Sequence, residues 1–118
     1  MMLTADQILS AEDLVRAIVD VPEWGPGAKV TVRMMTTEER QDYWSVALAD
    51  EGKKPVKQSL IARLCAFTIC DDAGNRIFND DQIPALAKKA GAVIGRIADV
   101  AWELNQLGEK QRQTIAGN

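Results

Sequence analysis

Two segments of alternating apolar and polar residues, separated by Pro22-Glu23-Trp24-Gly25-Pro26-Gly27, constrain this chain more than any other feature. Ala17, Val19 and Val21 fall on every second position. Ala28, Val30, Val32 and Met34 do so again, with Lys29, Thr31 and Arg33 facing the other way. A period of two belongs to half-buried strands, and the Pro/Gly-rich stretch between them is turn chemistry. The pattern predicts a β-hairpin with one wet face, running directly into a helix.

The bulk composition excludes more than it selects. At 118 residues, 47% apolar and 26% charged, the chain has the make-up of one ordinary globular domain. A net charge of −3 argues against a nucleic-acid partner, which needs a clustered basic face. Lys53, Lys54 and Lys57, broken by Pro55 and preceded by Asp50 and Glu51, read as a solvated loop. There is no histidine. That removes the commonest general base and metal ligand at neutral pH, and with it Ser/His/Asp and Cys/His catalysis. Cys65 and Cys70, on one helix, would point about 140° apart, poor for a disulfide or a shared metal. Buried reduced thiols fit a cytoplasmic protein. No segment approaches a membrane span, and Met1 to Ser10 lacks the basic start and apolar core of a signal peptide.

Along the chain we expect a polar lead-in over 1–13, a single globular domain over 14–108 and a flexible tail over 109–118. Within the domain the hairpin occupies 14–35, and helices occupy about 37–49, 55–70, 81–90 and 92–107. Thr36 and Glu39 match a capping box, in which each side chain satisfies a backbone donor of the other. Tyr43, Trp44, Ala47 and Leu48 form the stripe of the next helix. Val56, Leu60, Leu64 and Phe67, widened by Ile61, Cys65 and Ile69, mark a central core helix. An alternative pairs Thr68–Cys70 with Arg76–Phe78 as a small hairpin about the Asp71–Asn75 turn. Asn79-Asp80-Asp81-Gln82 is an N-cap signal, and Gly91 marks a break. The last helix places Val93, Ile97, Val100, Leu104 and Leu107 on its inner seam, with Ile94 and Ala101 beside it and Gly108 as a left-handed cap. The fold class is therefore α+β: a mostly helical small domain with an N-terminal β-hairpin packed on about four helices.

The remaining constellations have plain explanations. Asp71 to Asn75 lacks the alternating oxygens and distant glutamate of a calcium loop. The pairs Glu38–Glu39 and Asp80–Asp81 sit where a helix N-terminus favours negative charge. Gly25-Pro26-Gly27 is no phosphate loop. We expect no catalytic residue, no cofactor and no metal. Trp102 is different: it lies about 150° from the inner seam, among Gly95, Asp99 and Gln106. A large aromatic on a polar face with a glycine notch two turns earlier suits a partner surface. Trp24, at the hairpin tip, and Met35, an adaptable side chain, complete the candidate protein-binding set: Trp24, Met35 and Trp102.

Three stretches carry a family resemblance. The first is Asp20-Val21-Pro22-Glu23-Trp24-Gly25 with Val30-Thr31-Val32-Arg33-Met34-Met35-Thr36-Thr37-Glu38-Glu39-Arg40. The second is Ala62 to Phe78, containing Asp71-Asp72-Ala73-Gly74-Asn75-Arg76-Ile77-Phe78, and the third is Leu104-Asn105-Gln106-Leu107. Their order and spacing resemble the tail assembly chaperones of long, non-contractile-tailed bacteriophages and prophages. The resemblance implies a non-enzymatic morphogenesis factor in the host cytoplasm. It would bind the tape measure protein, hold it soluble while tail tube subunits polymerise around it, and be absent from the finished virion. The major tail tube protein and further copies of this chain are additional partners it suggests. A tail or head–tail connector subunit retained in the virion, and a small ligand-binding domain or enzyme, are the alternatives.

Overall fold

The computed structural model describes residues 1–49 and 60–108. The hairpin forms as β1 (Arg16–Asp20) and β2 (Lys29–Arg33), antiparallel, with Ala17 opposite Val32 and Val19 opposite Val30. Its connection is a single turn of 3₁₀-helix over Pro22–Trp24, followed by Gly25 and Gly27 at positive φ. Val21 and Ala28 close the loop with a 2.9 Å backbone hydrogen bond. A short α1 (Ala5–Ser10) precedes the hairpin, and α2 (Thr37–Ala49) comes after it. The capping box is complete: the Thr36 N–H donates to Glu39 Oε1 at 2.9 Å, and the Glu39 N–H donates to Thr36 Oγ1 at 3.2 Å.

The sheet has a third strand that the periodicity does not assign. Helix α3 (Leu60–Thr68) gives way to β3 (Ile69–Cys70), which pairs antiparallel with β2, so β2 is central. The expected helix over 55–70 thus ends two residues early, and its first turn lies outside the described residues. Thr68 Oγ1 turns back to the Leu64 carbonyl at 2.7 Å, and the β-branched pair Thr68-Ile69 favours extended backbone once an open sheet edge is available. Because Cys70 sits on a strand, the helical angle expected between it and Cys65 does not apply. Both are free and buried, and burial pushes the Cys65 thiol up to about 12. The alternative small hairpin is present in part: Cys70 and Arg76 form an antiparallel bridge, the Ile77 N–H donates to the Ile69 carbonyl at 3.4 Å, and the Asp71 N–H donates to the Asn75 carbonyl at 2.9 Å. Its turn is held by Asp71 Oδ1, which accepts from the Ala73 and Asn75 amides. Glycine is favoured at position 74 by its backbone (φ +88°), which L side chains rarely adopt; a Cβ would also displace the Arg16 guanidinium, 2.7 Å away.

The expected helix over 81–90 is shorter and divided into a 3₁₀ turn over Asp80–Gln82 and α4 (Ile83–Leu86). Helix α5 (Gly91–Leu104) lies across α3 and the sheet. Its buried face is Val93, Ile94, Ile97, Ala98 and Ala101, while Val100 and Leu104 are only half-buried. Val93, Ile97 and Leu107 are buried as expected; at Val100 and Leu104 the seam is rotated toward its flanking residues Ile94 and Ala101 and toward Ala98, the two alanines permitting close approach to α3. The core joins this face to Leu64, Phe67, Ile69, Val19, Val32, Tyr43 and Trp44. The Arg76 guanidinium lies 4.6 Å above the Phe67 ring and reaches both the Ala66 carbonyl and Asp80.

The end of α5 corrects a further expectation. The left-handed residue is Gln106 (φ 54°), not Gly108. The Gln106 N–H donates to the Glu103 carbonyl and the Leu107 N–H to the Trp102 carbonyl, both at 3.1 Å, which is the Schellman arrangement. Just before it, buried Asn105 accepts the Met35 N–H on Oδ1 at 2.6 Å, and its Nδ2 donates to the Ala101 carbonyl at 2.9 Å and to the Arg33 carbonyl at 3.4 Å. Arg33, expected on the wet face, is buried beside this junction. Its guanidinium grips Glu39 with two hydrogen bonds, at 2.9 and 3.0 Å.

The junction makes two stability predictions. Asn105→Ala strands the buried Met35 N–H and should cost about 2–3 kcal/mol in urea denaturation. Gln106→Gly removes about 1–2 kcal/mol of left-handed strain but adds chain entropy to the unfolded state, for a net gain of about 0.5–1 kcal/mol. The pH profile supplies a third. Burial raises the Glu39 pKa, but the hydrogen bonds from Arg33 and Thr36 outweigh it, so the folded value lies below the ordinary 4.5. Its contribution is complete above that value and is lost as pH falls through the depressed folded pKa. The stability difference between wild type and Glu39→Gln should shrink across that acid range and stay constant at neutral pH.

Candidate functional site

A groove of about 270 Å³ between Glu12, Asp13, Arg16, Arg33 and Gly74 carries polar side chains of both signs. No three Cys, Asp or Glu side chains among them converge as a metal site, and no helix is long and apolar enough to cross a membrane. The surface features that stand out are two apolar grooves, each with a tryptophan in its wall.

The first groove results from the rotation of α5. Turning Ile94, Ala98 and Ala101 inward leaves Gly95, Asp99 and Trp102 on the outer side. Gly95, Ala98, Asp99 and Trp102 are spaced i, i+3, i+4, i+7, which places them on one face of the helix. Together with Tyr43, Ile61 and Leu64 they line a groove of about 130 Å³. Trp102 is half covered. Its ring meets Trp44 edge-on, with centroids 6.2 Å apart, and Trp44 in turn meets Tyr43 at 5.6 Å. Trp102 as a whole remains 37% exposed. The chain of three rings holds the indole in one orientation while leaving its edge free. Burial raises the Tyr43 pKa, so its phenol stays neutral. Ile61, which the periodicity puts on the core stripe, is 53% exposed and forms the opposite wall. In the sequence it is legible only as an excess: nine apolar positions from Val56 to Ile69 are more than one buried face accommodates.

The second groove starts at the hairpin tip. Trp24, 39% exposed, lines about 300 Å³ with Phe78, Gln82, Ala85, Leu86 and Lys89. The tip is fixed from beneath. Arg96 on α5 donates to both Glu23 carboxylate oxygens, at 2.9 and 2.6 Å, and to the Asp20 carbonyl at 3.2 Å. This pairing draws the Glu23 pKa down to about 2. Trp24 therefore faces the turn after Phe78 and α4 instead of folding back on its own sheet.

Met35 does not join either surface. It is only 7% exposed and packs in the core, with its N–H taken by Asn105. The chain beyond β2 turns Met35 inward because the Asn105 amide captures its backbone. The sequence-derived set therefore divides into Trp102, Trp24 and a core methionine.

A family model described as phage tail assembly chaperone matches residues 6–114. The solved structure of the bacteriophage HK97 tail assembly chaperone superposes with a TM-score of 0.59 at 23% identity, covering 84% of this chain and 90% of that one. At that identity the match speaks for the shared α+β fold. No curated protein sequence matches this chain.

The Gly95 notch can be tested directly. A Cβ at this position meets nothing within 4 Å. Gly95→Ala should therefore raise stability by about 0.5–1 kcal/mol through helix propensity and unfolded-state entropy, measured by urea denaturation. Destabilisation would show that the notch is already filled.

Proposed function

This chain belongs to the phage tail assembly chaperone family, and from that membership we propose that it binds the tape measure protein, keeps it soluble and promotes tail tube polymerisation around it. Family membership implies a non-enzymatic role among phage tail proteins. The finer reading is that the client docks on the Trp102 groove while tail assembly proceeds in the host cytoplasm. The chain is then released and is absent from the mature virion.

One observation supports this reading: Gly95, Asp99 and Trp102 lie on the outer side of α5, with buried Ala98 and Tyr43 at the floor of their groove and exposed Ile61 in its wall. Small residues let a second helix backbone approach closely, and a fixed aromatic beside them supplies an anchor. Such a surface suits an amphipathic helical segment of a client, laid into the groove by its apolar face. Asp99 at the rim favours a client helix with a basic residue beside that face.

The test is co-expression with the cognate tape measure protein, then pull-down and a solubility assay. Wild type should bring the client into the soluble fraction. A Cβ at Gly95 meets nothing within 4 Å; Gly95→Glu puts a carboxylate at the notch and should weaken capture at least about tenfold, the worth of one well-packed apolar anchor. Trp102→Ala should do the same. A client that stays insoluble and unbound with wild type present removes the chaperone reading. Recovery of the chain from purified virions would replace it with a retained tail subunit.

A further inference from the structure

The polar groove lies where the chain enters the sheet, between the segment 11–14, the strand ends Arg16 and Arg33, and the turn residues Ala73 and Gly74. The segment before β1 is seated on the body by its backbone. The Met34 N–H donates to the Val15 carbonyl at 2.9 Å, and the Val15 N–H donates to the Asp13 carbonyl at 3.1 Å. One wall is thereby anionic, with Glu12 and Asp13, and the other is cationic, with Arg16 and Arg33.

The cationic wall is short of acceptors. Register places Arg16 directly opposite Arg33, a position in which like charges repel. Glu39 relieves the Arg33 head, yet the Arg33 Nε is buried with no hydrogen-bond partner, and a buried donor in that state points to a missing acceptor. Arg16 makes no ion pair among the described residues. Its guanidinium gives one hydrogen bond, to the Asp72 carbonyl at 2.7 Å, and occupies the space that Gly74 leaves by having no side chain. The turn therefore holds the charged head in place. Glu12 and Asp13 are exposed and likewise make no ion pair among the described residues. Opposite charges line one groove, each positioned by backbone, and neither wall satisfies the other.

We infer that this groove binds a polypeptide segment through a neighbouring pair of oppositely charged side chains. The acidic member takes the free N–H groups of Arg16 in the positive field of Arg33, and the basic member sits against Glu12 and Asp13. Ala11, Leu14 and Ala73 also line the groove and give the aliphatic stems of such side chains a surface to lie along. A bare zwitterion has no stem to use it. A purely anionic ligand is repelled by Glu12 and Asp13. The groove shares no lining residue with the Trp102 groove, and the inference stands independently of the tape measure reading.

Titration of the isotope-labelled full chain with the blocked dipeptide acetyl-Glu-Lys-amide, followed by amide NMR, tests this. Signals of residues 11–16 and 72–74 should shift with a dissociation constant on the order of 1–10 mM, the range open to so small a ligand. Acetyl-Gln-Lys-amide and acetyl-Glu-Gln-amide should each bind at least about tenfold more weakly, the worth of one charged hydrogen-bonded contact. Arg16→Gln and the double variant Glu12→Gln/Asp13→Asn should leave circular dichroism unchanged and weaken acetyl-Glu-Lys-amide to the same degree. The double variant changes no residue of the sheet, so it decides the matter even where Arg16→Gln loosens the turn. Absence of shifts at these residues overturns the inference. So do equal affinities for the three dipeptides, or an undiminished affinity in the double variant. Free glycine that shifts the same signals as strongly as acetyl-Glu-Lys-amide overturns it too, because a small zwitterion is then the ligand.

Discussion

The side chain of Asn105 is the interaction on which the rest of this structure depends. One amide takes the Met35 N–H and gives its own hydrogens to the Ala101 and Arg33 carbonyls. It thereby ties the last turn of α5 to the point where β2 becomes α2. Arg40 adds hydrogen bonds to the Asn105 and Gln106 carbonyls, and the Arg33–Glu39 pair closes the same corner. Apolar burial holds α5 against α3 and the sheet but is non-directional. Hydrogen bonds have angular requirements. A helix turned by one residue, about 100°, would leave the Met35 N–H buried without an acceptor.

The rotation fixed at Asn105 decides which side of α5 faces outward. With Ala101 and Ala98 drawn in, Gly95, Asp99 and Trp102 have no covering element among the described residues, and the groove results. At the opposite end of the hairpin, Arg96 performs a related task through Glu23 and the Asp20 carbonyl. Both Arg96 and Glu23 are exposed, so their mutual attraction is screened by solvent. Their contribution is to orient the tip so that Trp24 looks toward Phe78 and Leu86. One helix thus positions both grooves, one by its own face and one through a single arginine.

Much of the local structure is legible in the sequence because it rests on short-range rules. Alternation at Ala17, Val19 and Val21 and at Ala28, Val30 and Val32 announces a hairpin, and Thr36 with Glu39 announces a helix start. These features need only neighbouring residues to be satisfied. The oddity of Trp102 is legible too, since an indole opposite an apolar seam is visible from helical spacing. The burial of Met35 is not legible, because strand alternation stops at β2 and its backbone is captured by an amide seventy residues away. Ile61 escapes the periodicity because an over-wide apolar stripe says that some member is exposed without saying which. Gly108 has the better propensity for the left-handed cap, yet the tertiary hold of Arg40 on the Asn105 and Gln106 carbonyls makes Gln106 adopt that conformation.

The sequence by itself determined the elements with strong local signals: the hairpin, the starts of α2 and of the Asp80 turn, and the α+β class. Without histidine it also excluded Ser/His/Asp and Cys/His catalysis. The tertiary structure alone decided that Ile69–Cys70 would leave the helix to complete a three-stranded sheet. It also decided that Arg33 would be buried by its pairing with Glu39, and that α5 would turn its small residues inward. The physical reason is range. Periodicity and caps are satisfied within a few residues of one another, whereas strand pairing, buried ion pairs and helix rotation are chosen by partners distant in sequence. The grooves lie where those distant choices meet.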